Sequence, residues 1–128
     1  EELPVSNPNI VSVTAIYGNS ASVSLSTTSA TQLASNAASS GKAYKINSIV
    51  VSNTNGSSAA NITINVYSAA SMGGTAFPIA STISVPANAT LIVTDKTTSF
   101  YLLENQSIGA VAGTANYLTV TASWEEIS

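Results

Sequence analysis

The sequence contains no cysteine, no histidine and no arginine. Without imidazole or thiolate there is no Ser-His-Asp triad, no cysteine nucleophile and no ligand supply for a zinc, haem or iron–sulfur centre. No disulfide can form, so cysteine usage gives no reading of the redox compartment. Charge is almost as scarce. Three Lys stand against five Glu and one Asp, and only 7% of residues are charged where an ordinary soluble domain carries roughly 25%. With so few cations there is no basic footprint, and nucleic acid is not an expected partner. No apolar run approaches the ~20 residues of a membrane-spanning helix, so no membrane partner is expected. No cofactor is expected either.

What the chain has in quantity is small polar and β-branched side chains. Its 128 residues suit one domain. Within them are 22 Ser, 15 Thr and 12 Asn, so the surface is wetted by hydroxyls and amides rather than ions. The hydrophobic fraction of 45% is ordinary, but 19 of those residues are Ala; 11 Val, 11 Ile and 7 Leu are enough for one thin core. Residues 1–10, with Pro4 and Pro8, read as an extended N-terminal arm, and residues 11–128 as the folded domain.

The hydrophobic period is two almost throughout. Ala60 to Tyr67 places Ile62, Ile64 and Val66 on one face and Asn61, Thr63 and Asn65 on the other, the pattern of a half-buried strand. Tyr117 to Glu126 alternates Leu118, Val120, Ala122 and Trp124 with Thr and Ser, and Ser20 to Ser26 turns Ala21, Val23 and Leu25 inward. Val11 to Tyr17 is a further strand candidate. Ala43 to Asn53 is long, with a bend expected near Asn47-Ser48. Ala89 to Thr94 is a short apolar run and reads as a more central strand. Phe100 to Leu103, Ile108 to Ala112 and Ile79 to Val85 add others, and Ala30 to Ala38 reads as a strand followed by a loop. Tyr17-Gly18-Asn19 and Asn55-Gly56-Ser57 carry hairpin chemistry, because Asn and Gly tolerate φ > 0, and Met72-Gly73-Gly74 reads as a flexible loop. Turns spaced near ten residues apart predict an all-β fold: a single antiparallel β-sandwich, jelly-roll-like, of about eight to ten short strands. The strand order stays open, since sandwich and barrel share the same alternation.

Few constellations could carry chemistry. Glu125 and Glu126 are adjacent on a strand and point to opposite faces, so they cannot jointly hold a proton or a metal. Asp95 and Glu104 could serve as acid and base of a hydrolase only if neighbouring strands brought them within about 5–10 Å across a cleft. Otherwise Asp95-Lys96-Thr97 is a solvated turn. Exposed aromatics could stack on sugar rings. Trp124 is in phase with Leu118, Val120 and Ala122, which marks it for the core or a subunit interface, and Tyr67 falls on the polar face of its strand as the candidate for exposure. No catalytic, cofactor-binding or metal-binding residue is assigned, and a ligand-binding set stays unknown.

The order of segments carries a resemblance. Gly41-Lys42 leads into the strand Ile46-Asn47-Ser48-Ile49-Val50-Val51-Ser52-Asn53, followed by an Asn/Gly/Ser loop and Ile62-Thr63-Ile64-Asn65-Val66. Then come Val85-Pro86-Ala87-Asn88, Leu102-Leu103-Glu104-Asn105-Gln106-Ser107-Ile108, and a closing strand ending Trp124-Glu125-Glu126. Over residues 40–127 this resembles small β-sandwich virion proteins of tailed bacteriophages, including those of marine bacteria. These form tails, necks, fibres and capsid decorations. Asn105-Gln106 departs from that pattern, which often has Gly-Asp at this turn; Asn can still adopt φ > 0 there. The resemblance implies a non-enzymatic virion protein that acts through contacts with itself as a homo-oligomer and with other virion proteins. It transfers no catalytic residue. The alternative is a carbohydrate-binding or adhesion module, with a host surface glycan as partner.

Overall fold

A computed structural model describes residues 7–128, and residues 1–6 of the expected arm lie outside the described residues. The strands are β1 (Ile16–Ser24), β2 (Thr31–Asn36), β3 (Ala43–Asn53), β4 (Ala60–Ala69), β5 (Gly73–Val85), β6 (Thr90–Thr94), β7 (Phe100–Leu102), β8 (Gln106–Ala112) and β9 (Leu118–Ile127). One sheet runs β1-β9-β3-β6, with β7 also paired to β3; the other runs β2-β8-β4-β5. Every pairing is antiparallel. The two sheets pack face to face as a β-sandwich.

The pairings follow a rule. β4 pairs with β5, β3 with β6 and β7, β2 with β8 and β1 with β9. The chain is one long antiparallel ribbon, doubled back at the β4–β5 turn and rolled up so that its two ends close against each other. That is the jelly roll. β6 and β7 share one strand position: β6 covers Ile49–Ser52 of β3, β7 covers Tyr44–Ile46, and a 3₁₀ turn at Lys96–Thr98 bridges them. β3 has a register shift between Ile46 and Ser48, at the place where the sequence predicts its bend.

The core is aliphatic. Leu25, Ile46, Ile49, Val51, Ile62, Ile64, Val85, Leu102, Ile108, Leu118 and Val120 are almost fully buried, each worth about 1.5–3 kcal/mol. Against this the one ion pair among the described residues, Lys42–Glu126 at 3.4 Å with an exposed lysine, contributes about 0–1 kcal/mol. Two buried asparagines fasten the ends of strands. Asn36 Nδ2 donates to the carbonyls of Lys42 and Leu102, and Asn53 Nδ2 to those of Ser58 and Val85. Asn105 adopts φ 58°, so the turn survives without glycine.

Several expectations are corrected. Val11 to Tyr17 and Ser20 to Ser26 are not two strands around a Tyr17-Gly18-Asn19 turn: those three residues lie inside β1, paired with Glu126, Glu125 and Trp124. Neither Gly18 nor Asn19 uses positive φ; permission to turn is not an obligation. The apolar run at Ala89 to Thr94 is an edge strand, with Ile92 61% exposed on its outer side. Met72-Gly73-Gly74 is a pinned turn leading into β5. The backbone N–H groups of Ala70, Ser71 and Met72 donate to Asn105 Oδ1, Ser35 Oγ and Ser107 Oγ respectively. This turn also buries Tyr67, which the period places on the polar face. Tyr67 packs with Met72 over Gly109, where no side chain fills the space.

Candidate functional site

The strands β1, β9 and β3 carry one corner of their sheet. Directly paired residues share a face, so Tyr17, Glu126 and Tyr44 form one row across β1, β9 and β3, and Asn19, Trp124 and Ile46 form the next. The second row passes into the core at Ile46, while Tyr17 remains 65% exposed. The rings of Tyr44 and Trp124 stack at 6.2 Å with an interplanar angle of 18°. Glu126 is clasped from both sides: Asn19 Nδ2 donates to one carboxylate oxygen at 2.5 Å and Lys42 Nζ to the other at 3.4 Å. Burial, and then the nearby Glu126 carboxylate, push the Tyr44 hydroxyl above the ordinary phenol range. Trp124 Nε1 is buried and has no hydrogen-bond partner among the described residues.

This corner offers two aromatic faces, an amide, an ammonium and a carboxylate. It does not bring two carboxylates together. Glu125 points to the opposite face, where Asn47 Nδ2 donates to it. Asp95 and Glu104, the other pair considered, are not brought together. Asp95 follows Thr94, which pairs with Ile49; Glu104 follows Leu102, which pairs with Tyr44. Ile49 and Tyr44 lie five residues apart on β3, about 16 Å at 3.3 Å per residue. Asp95 caps its own turn, accepting from the Thr97 N–H and hydroxyl, and these bonds hold its carboxyl below the usual range. Among the described residues no three His, Cys, Asp or Glu side chains cluster as metal ligands.

A second feature lies on the far side of the sandwich, along the seam between β5 and β6. A cavity of about 220 Å³ is lined by Ile79, Val93, Thr94, Thr98 and Phe100. It is smaller than the ~300–1,000 Å³ of a small-molecule site. β5 has a register shift between its Ile64–Ala80 and Asn65–Pro78 pairs, leaving Ile79 as the extra residue that faces the seam. Phe77, Ile83 and Ile92, on the same two strands, are exposed.

Trp124 is buried, as its phase predicts. Tyr17 and Tyr44 escaped the sequence reading as site residues, because their neighbourhood depends on joining the first strand to the last. No family model matches the chain, and no curated protein matches it.

Proposed function

We propose that the protein is a non-enzymatic structural component of a bacteriophage particle, acting through contacts with its own copies and with other particle proteins. The observation that carries this reading is where the apolar surface lies. Of the exposed large apolar side chains, Ile10 and Val11 precede β1, while Ile16, Tyr17, Phe77, Ile79, Ile83, Ile92 and Tyr101 sit on edge strands of a jelly roll, with Ile79 at the small β5–β6 cavity. Jelly rolls serve as capsid subunits, where such edges meet neighbours. The near-absence of charge fits subunit contacts that hold at any ionic strength. The test is fractionation of purified particles on a density gradient. Peptides of this chain should co-sediment with the particles and resist a high-salt wash; recovery only in the soluble lysate overturns the reading.

The corner where exposed Tyr17 and half-buried Tyr44 lie beside Asn19 and Glu126, with buried Trp124 stacked on Tyr44, favours a second reading, a glycan-binding surface, since aromatic faces beside amide and carboxylate groups suit a sugar ring. Binding on a glycan array, lost in Tyr17→Ala and accompanied by a change in Trp124 fluorescence, is its expected outcome. A blank array removes it.

A further inference from the structure

Four strand positions form the edges of the two sheets, and three of them are interrupted. β2 has a register shift between Gln32 and Ala34. β5 contains Pro78, three register shifts and Thr82 at φ 51°. The β6/β7 position is built from strands of five and three residues with a 3₁₀ turn between. Bulges, prolines and short strands are the devices that keep an edge from pairing with another chain. β1 has none of them. Its nine residues pair with β9 in unbroken register, it contains no Pro, Lys, Asp or Glu, and no described strand pairs its other side.

The ladder shows which backbone groups are free. Ala15 and Ser128 exchange both hydrogen bonds, and the Leu25 N–H donates to Leu118. Bonded pairs alternate in an antiparallel ladder. Tyr17, Asn19, Ala21 and Val23 therefore turn their N–H and C=O toward β9, while Ile16, Gly18, Ser20, Ser22 and Ser24 turn theirs outward.

We propose that β1 pairs antiparallel with β1 of a second copy about a two-fold axis at Ser20, joining two sheets into one. This register uses all five outward-facing residues and makes about ten inter-chain hydrogen bonds. It sets exposed Tyr17 against the partner's Val23, an aromatic on a β-branched side chain, and Asn19 against the partner's Ala21. A two-fold brings each strand against itself, so a charge near the axis would meet its own like; β1 carries none. The pairing deepens the subunit-contact reading, and the two fail separately. Absence from particles leaves the pairing standing, while loss of the pairing leaves particle contacts to other surfaces.

Because the chain has no cysteine, a single introduced thiol reports the register without background. In Ser20→Cys the two Cα atoms would lie about 5.5 Å apart, within disulfide range. In Ser24→Cys they would lie about 27 Å apart. Under mild oxidation Ser20→Cys should form disulfide dimers at least about ten-fold faster than Ser24→Cys. In parallel, Ser20→Pro removes an outward N–H and leaves the β9 ladder intact. Light scattering should then find wild type dimeric or larger and Ser20→Pro monomeric, with the same far-ultraviolet circular dichroism. Equal cross-linking of the two cysteine variants, no cross-linking of either, or a folded Ser20→Pro that associates like wild type overturns the proposal.

Discussion

The side chains that matter most to stability here are small or amidic, not ionic. Asn53 is buried and holds two carbonyls, Ser58 of the β3–β4 loop and Val85 at the end of β5. Asn53→Ala leaves both without a partner and should cost about 3 kcal/mol in urea unfolding. Lys42→Ala, which removes the ion pair with Glu126, should cost no more than about 1 kcal/mol in the same measurement. Gly109 is confined from above: a Cβ there would come within 2.7 Å of Met72 Sδ and 3.0 Å of Tyr67 Cε2. Gly109→Val should therefore destabilise by about 1–3 kcal/mol and raise Tyr67 fluorescence quenching by solvent. With no histidine or cysteine, the melting temperature should be flat across the middle of the pH range. The Asp95 carboxyl is held low when folded, so its contribution is present above the ordinary value of about 3.9 and lost as pH falls below it. The Tyr44 hydroxyl is held high, so its contribution is present below about pH 10 and lost as pH rises through the folded value. Thermal melts across pH should show both limbs, the acid one shallower in Asp95→Asn and the alkaline one shallower in Tyr44→Phe.

At the scale of the strand, alternation was legible wherever one face is buried along its whole length. β4 and β9 show this, and the bend in β3 is marked by the polar pair Asn47-Ser48 interrupting its apolar phase. Edge and centre were not legible. The apolar run that became β6 looks central because Ile92 interrupts no pattern, yet the side chain faces solvent. Alternation reports the two faces of a strand and is silent on its lateral neighbours. Tyr67 shows the complementary gap: its face was read correctly, and what covers that face is a turn delivered by later residues. The candidate corner depends on β1 lying against β9, a contact between opposite ends of the chain that no local pattern encodes. The guarded edge invites its own test. Pro78 sits in an uncharged edge strand beside exposed Phe77 and Ile79. Pro78→Thr gives that edge a further N–H, and should increase thioflavin-positive aggregation on prolonged incubation.

For the whole molecule, the rolled ribbon makes the last strand indispensable. β9 lies between β1 and β3, so a chain ending before Leu118 exposes the core from the side and should lose its cooperative unfolding transition by calorimetry. Because most pairings join distant parts of the chain, refolding should be slow, in the millisecond-to-second range of non-local β topologies or beyond. The same register has a mechanical consequence. Ile16 lies opposite Ile127, and Ser24 opposite Thr119, so the chain segments that flank β1 and β9 leave from one corner, side by side. Tension applied through those segments does not shear the ladder along its length. It opens the rungs one after another from the Ile16–Ile127 end, the arrangement of a zipper and not of a clasp. A load carried through the sides of the sheets spreads over many rungs at once, so the fold resists being squeezed or tiled far better than being drawn out by its ends.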